Sequence, residues 1–278
     1  MQELENVNAN LEKRVVERTN ELMSTKAENM RMSAELEVTH QLQHMLLPRE
    51  EELLQVKGLD IAGFMEPADE VGGDYYDVLT YDGRTIIGIG DVTGHGLESS
   101  VIMLMAQMAV RTLAVSKELD PVKYLNILNR TIYDNVQRMG SHKNMTLALL
   151  EYDAGNLKLY GQHEEMIVVR KETGTLERID TIDLGFPIGL QDDISGFIHT
   201  HKIQLAPGDV AVLFTDGIPE AENSRKEYYQ VERLCEVIKA NFTRPVNEIR
   251  QAVVDDVRRH IGDHTVYDDI TLVVLKQQ

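Results

Sequence analysis

Four turn signals, each set between two apolar stretches, restrict what this chain can become. Asp82-Gly83 divides YYDVLTYDGRTIIGIGD, residues 153–156 divide MTLALLEYDAGNLKLYG, and Thr173-Gly174 divides MIVVRKETGTLERI. The turn Ala206-Pro207-Gly208-Asp209 separates IHTHKIQL from DVAVLFTDG, which reads as a further strand pair. Asp-Gly accepts the positive φ angles of a two-residue hairpin turn, so each unit predicts two antiparallel strands. Single strands are expected at LDIAGF (59–64) and ITLVVL (270–275). Helical patterns fall at 97–115, from Asp120-Pro121 to about Met139, and at 229–240 and 245–261, where Asp120 suits an N-cap and Pro121 a first helical position. Hairpins in succession with helices grouped between them argue for an α+β sandwich rather than a doubly wound parallel sheet.

The segment LESSVIMLMAQMAVRTLAV (97–115) is apolar on nearly every side. Such a helix is expected between layers, with Met103, Met105 and Met108 in the core. Residues 1–47 are of another kind. They contain neither Gly nor Pro and are rich in Glu, Asn, Leu and Met, which predicts a long helix. In a heptad frame, Leu4, Leu11, Arg18, Thr25, Met32, Thr39 and Leu46 fall at a, and Asn8, Val15, Leu22, Asn29, Leu36 and Gln43 at d. Seven of these thirteen are apolar, and the polar Asn8 and Asn29 lower stability while fixing register. The pattern reads as a marginal coiled coil able to pair two copies of the chain, the alternative being a solvated helix docked on the domain. Pro48 ends it, giving a linker or dimerisation helix over 1–47 and a globular domain over 48–278.

Composition narrows the function. With 278 residues, 42% hydrophobic, there is material for one sizeable core and an appendage. A formal net charge of −18 disfavours nucleic acid as a partner, because that binding rests on basic residues neutralising phosphates. The lone Cys235 has no disulfide partner and sits in an apolar helical pattern, which fits a cytoplasmic chain and a buried thiol without redox work. No run of about 18 apolar residues predicts a membrane span, and the charged N-terminus lacks the apolar centre of a signal peptide.

Four acidic positions share one local grammar: Asp74 in EVGGDYYD, Asp91 in GIGDVTGHG, Asp216 in VLFTDGIPEA, and Asp268-Asp269 in VYDDITLVV. Each stands where an apolar run opens into a loop. Singly, each is ordinary turn or capping chemistry. Together, carboxylates at the ends of core strands stay ionised only if strong positive charge joins them, and no Lys or Arg lies within the motifs. An all-oxygen ligand set selects Mg²⁺, Mn²⁺ or Ca²⁺ over Zn²⁺. Two divalent ions would bring four aspartates near neutrality.

The motifs EVGGDYYD, GDVTGHG, FTDGIPEA and DDITLVV, in this order, resemble the metal-dependent protein phosphatases of the protein phosphatase 2C superfamily, in the bacterial SpoIIE/RsbU-like serine phosphatase branch. The likeness runs over about residues 40–276, and HQLQHMLLPREE is similar to the segment with which that branch enters its catalytic domain. It implies a β-sandwich of two antiparallel sheets with helices outside each. It also implies hydrolysis of phosphoserine or phosphothreonine by a hydroxide bridging two Mn²⁺ or Mg²⁺ ions. By the same resemblance Asp91 bridges both ions, the Val92 carbonyl and Asp74 serve the second, and Asp216 with Asp268 completes the first. Asp269 is a further candidate, Asp268 being favoured. Asp74 and Asp91 are the catalytic candidates, and His95 shapes the turn. Where relatives commonly read Ala-Gly-His-Asn-Pro-Pro, this chain has Tyr160 to Glu165 (YGQHEE), a change that bears on substrate preference. The implied partner is a phosphorylated STAS-domain anti-sigma-factor antagonist. LEKRVVERTNEL (11–22) resembles linkers that join sensory domains to output domains, which implies a larger, membrane-tethered or soluble sensor protein. The rival readings are a dimeric interaction module with a vestigial acidic cluster and a Ca²⁺-stabilised sandwich without turnover.

Overall fold

The computed structural model describes residues 11, 13–15, 17–20, 22–26, 30–31, 41, 43, 45–68 and 71–278. The described residues between 11 and 46 are helical. Those of the heptad seam at Leu11, Val15 and Leu22 are exposed on the single chain. The seam positions Leu4, Asn8, Asn29, Met32, Leu36 and Thr39 lie outside the described residues.

After a short helix α1 (Glu50–Leu53), ten strands and four longer helices follow. In chain order they are β1 (Leu59–Glu66), β2 (Tyr75–Tyr81), β3 (Arg84–Val92), α2 (Leu97–Ser116), α3 (Pro121–Met139), β4 (Met145–Asp153) and β5 (Asn156–Gln162). Then come β6 (Met166–Val169), β7 (Leu176–Ile179), β8 (Thr200–Gln204), β9 (Val210–Phe214), α4 (Val231–Asn241), α5 (Val246–Ile261) and β10 (Ile270–Gln277). One sheet runs β1-β10-β9-β6-β7 and the other β2-β3-β4-β5-β8, all antiparallel.

Local chemistry accounts for the hairpins. Asp82 and Gly83 adopt φ of 50° and 81°, and Ala154 and Gly155 take 45° and 87°, the left-handed pair that matches strand twist. The Asp120 side chain accepts a hydrogen bond from the Val122 N–H and caps α3, whose C-terminus is closed by left-handed Gly140.

Three apolar clusters define four layers. Ile87, Ile89, Leu150, Leu159, Val168, Leu213, Val273 and others fill the space between the sheets. Alternate residues of the same strands face outward, where α2 and α3 cover one sheet and α4 and α5 the other. Each fully buried Leu, Ile or Val contributes about 1.5–3 kcal/mol, so the period-2 alternation sets the register.

Two expectations change. The strands on either side of Ala206–Asp209 both form but do not pair with each other: β8 joins β5 while β9 lies between β10 and β6. The turn carries the chain from one sheet to the other. The helix α2 covers one sheet instead of lying between layers. It buries Ile102, Met103, Ala106, Val110 and Leu113, leaves Met105 half-buried, and turns Leu97, Val101, Met108 and Val115 to solvent. Met108 is 66% exposed and is not part of the core. Among the described residues, α2 is the one helix long and apolar enough to cross a membrane, with a mean hydropathy of 1.4, and half of that stretch is packed inside the fold.

Candidate active site

Asp91 is the penultimate residue of β3, and Asp216 follows β9 after Thr215, so one acid comes from each sheet. Asp74 immediately precedes β2, and Asp268-Asp269 immediately precede β10. The fold brings all of these to one end of the sandwich. Asp91 feels the charges of Asp216, Asp268 and Asp269, and Asp74 those of Asp269 and Asp91. Burial pushes the Asp91 carboxyl up to about 8, with those three neighbours adding to the effect. Burial, then Asp268 and Glu220, pushes Asp216 up to about 6. Asp74 is only 1% exposed; burial, then Asp269 and Asp91, holds it well above the usual carboxylate range.

Asp74 is held by two hydroxyls. Thr215 and Thr271 both donate to its Oδ2, at 2.8 and 2.5 Å. Asp269 has a different environment. It is 2% exposed, and its Oδ1 accepts the Ala68 N–H at 2.8 Å while Oδ2 accepts the N–H groups of Gly73 and Asp74 at 2.6 and 3.2 Å. Burial raises its pKa, against the lowering effect of those three donors. Asp269 thereby fastens the loop that delivers Asp74. Asp268, next to it, is partly exposed.

The glycines allow the close approach. A Cβ on Gly72 would overlap the Asp269 carboxylate, and one on Gly73 would stand 3.0 Å from the Val92 carbonyl oxygen. The Gly72 loop is also bound from outside. Gln43 reaches it from the N-terminal helix, its Nε2 donating to the Gly72 carbonyl at 3.2 Å and its Oε1 accepting the Gly72 N–H at 3.3 Å. Ser100, in the first turn of α2, donates to the same carbonyl at 2.7 Å. Heptad counting placed Gln43 as one more polar seam residue, and only its distance of 29 positions from Gly72 explains why the contact was missed. His95 lies on the exposed turn before α2, between Gly94 and Gly96, whose φ angles are 69° and 92°.

A cleft of about 660 Å³ opens beside Asp216, lined by Thr146, His163, Glu164, Arg178 and Tyr228 among others. The YGQHEE stretch therefore does border the site. His163 is the first residue after β5, and both its ring nitrogens are engaged, Nδ1 with Thr146 Oγ1 at 2.8 Å and Nε2 with the Phe214 carbonyl at 3.0 Å. Burial pushes this histidine down to about 4, so the ring is neutral.

The donor set suits a hard divalent cation: burial, with neighbouring carboxylates from both sheets, raises the pKa of these acids, and Gly73, lacking a Cβ, leaves space beside the Val92 carbonyl. As the side chains stand, no three His, Cys, Asp or Glu groups among the described residues form a ready coordination set. Asp74 faces its threonines and Asp269 its backbone donors.

The chain is similar to several known proteins. The sequence profile of the family "Stage II sporulation protein E (SpoIIE)" matches residues 81–278. Protein IcfG of Synechocystis is 25% identical over 267 residues, covering 87% of this chain and 41% of IcfG, so the chain spans less than half of that relative. The phosphoserine phosphatase RsbU of Bacillus subtilis is 26% identical over 252 residues, covering 89% of this chain and 71% of RsbU. Among solved structures, the SiaA-PP2C domain of Pseudomonas aeruginosa superposes with a TM-score of 0.78 at 20% identity, over 91% of this chain and 99% of that domain. The catalytic domain of the serine/threonine phosphatase PstP, in complex with two manganese ions, gives 0.56 at 17% identity over 78% and 97%. The fold is the one shared with these solved serine/threonine phosphatase domains. The chain belongs to the SpoIIE family, whose model matches well over half of it.

Proposed function

We propose that this chain is the output part of a bacterial signalling protein, hydrolysing phosphoserine on a protein substrate in the cytoplasm, with residues 48–278 as the catalytic domain. The observation that carries the reading is the meeting of Asp74, Asp91, Asp216 and Asp268 from separate strands, each of the first three with its pKa raised by burial and by neighbouring acids. Such a set needs cationic compensation. Mn²⁺ or Mg²⁺ fits the oxygen donors, two ions being the number that offsets four carboxylates. On this reading Asp91 would be shared between the ions, Asp216 and Asp268 would hold the first, and the Val92 carbonyl and Asp74 would hold the second. Bound there, the ions supply Lewis acidity to the phosphoryl oxygens and to the attacking water. The chain's own groups orient these ligands. Thr215 and Thr271 hold Asp74, and Asp269 anchors its loop from behind, which supports Asp268 as the ligand of the adjacent pair.

Regulation is proposed through residues 1–47 as a coiled coil pairing two copies. Leu11, Val15 and Leu22 are exposed on one chain and would be covered in a pair. The Gln43 bonds to Gly72 give that helix a direct grip on the loop before Asp74. The substrate we favour is a phosphorylated STAS-domain anti-sigma-factor antagonist, a reading that rests on the likeness to RsbU.

The test is hydrolysis of p-nitrophenyl phosphate and of a phosphoserine protein with and without Mn²⁺. Asp91→Asn is expected to lower the rate at least about 10³-fold, roughly 4 kcal/mol of barrier, with circular dichroism unchanged. An active Asp91→Asn enzyme, or a wild-type chain without metal-dependent turnover, would overturn the mechanism and favour the interaction-module alternative.

A further inference from the structure

The two acids from opposite sheets, Asp91 and Asp216, have no ladder hydrogen bonds between their strands, because β3 and β9 belong to different sheets. Their separation must be set by something that crosses the sandwich at this end. His163 does so. The chain leaves one sheet at Gln162, the end of β5, and enters the other at Met166, the start of β6, and His163 begins that crossing. The Phe214 carbonyl can only accept, so Nε2 carries the ring proton and Nδ1 accepts from the Thr146 hydroxyl. Thr146 is the register partner of Asp91 on β4, and its hydroxyl lies 3.4 Å from the Asp91 carbonyl. Phe214 is two residues before Asp216. The ring is thus a two-point strut from the Asp91 side to the Asp216 side. The backbone of His163 is itself pinned, its N–H donating to Thr181 Oγ1 at 2.9 Å and its carbonyl accepting from the same hydroxyl.

We propose that His163 is a positioning residue which fixes the spacing of Asp91 and Asp216 and so sets divalent-cation affinity, without touching substrate. This rests on the phosphatase reading above. The other links across this end, from Thr215 and Thr271 to Asp74 and from Asp269 to Ala68, Gly73 and Asp74, run through Asp74, whereas the His163 link ends on Thr146, the register partner of Asp91. A supporting carboxylate or imidazole contact behind metal ligands is worth about 10–100-fold in metal affinity.

The experiment is isothermal titration of Mn²⁺ into the full chain and its variants, alongside p-nitrophenyl phosphate kinetics and melting of the metal-free proteins. His163→Ala should raise the Mn²⁺ Kd about 10–100-fold, with KM for p-nitrophenyl phosphate at saturating Mn²⁺ unchanged. His163→Gln, which keeps one donor and one acceptor, should recover most of the loss. Thr146→Val, which removes the Nδ1 partner and its approach to the Asp91 carbonyl at nearly constant volume, should weaken Mn²⁺ in the same direction and keeps the test open if His163→Ala does not fold. Wild-type Mn²⁺ affinity in His163→Ala or Thr146→Val, or a Gln variant no better than Ala, would overturn the strut. If the unmodified chain takes up no Mn²⁺, the phosphatase reading itself falls and the strut with it.

Discussion

At Asp91 the cost of burial and the repulsion of like charges point the same way, and both favour a bound proton when no cation is present. An unfolded aspartate titrates near 3.9, whereas Asp91 in the fold is pushed up to about 8 and Asp216 to about 6. Between those values the folded chain holds more protons than the unfolded one, so stability falls as pH rises. The metal-free protein should therefore lose stability from about pH 4 to about pH 8, and Mn²⁺ should restore it. Mn²⁺ binding at pH 7 should also release protons, because ligands must be deprotonated to coordinate. Titrations in buffers of different ionisation enthalpy measure this directly; a binding heat independent of buffer would contradict it. His163 behaves oppositely. Its pKa is depressed to about 4, so its contribution is present above about 6.5 and is lost as pH falls toward 4.

Among the elements, α2 and the N-terminal helix act on one short loop. Ser100 and Gln43 meet at the Gly72 carbonyl, and Gln107 of α2 donates to the Leu46 carbonyl at 2.9 Å. On the proposed regulation, movement of the N-terminal helix would reach Gly72, two residues before Asp74. Gln43→Ala leaves the buried Gly72 N–H without its partner, a loss of about 1–3 kcal/mol. Chemical denaturation should record that destabilisation, and Mn²⁺ activation should shift to higher concentration. Unchanged Mn²⁺ activation would mean the helix does not act through this loop. Arg111 of α2 makes two 2.8 Å hydrogen bonds to buried Asp77 on β2. Removing the arginine strands a buried charge, and Arg111→Ala should cost about 3 kcal/mol in the same measurement.

The whole molecule is a four-layer sandwich with an acidic end and a helix that arrives beside it. Exposed Leu11, Val15 and Leu22 suit pairing of two chains, so deleting residues 1–40 should change the oligomeric state and the rate together. Gln43 survives that deletion, which separates loss of pairing from loss of the Gly72 contact. Analytical ultracentrifugation with steady-state kinetics is the measurement, and a truncated chain still dimeric and equally active would rule out coupling through the coil. Burial of the charged acids at one end, against a net charge of −18 overall, makes divalent cations the expected stabiliser of the entire fold.

What could be read from the residues alone was local. Asp82-Gly83, Asp120-Pro121 and the acids that close apolar runs act through their own backbone angles, and each element they bound formed close to its expected place. Partnership was beyond that range. That β8 and β9 part into different sheets, that Met108 faces water, that Gln43 grips Gly72, and that Asp269 is tied to backbone while Asp268 stays open all depend on which surfaces are buried together. Burial is a property of the assembled layers, summed over residues far apart in the chain, and no window of sequence contains it.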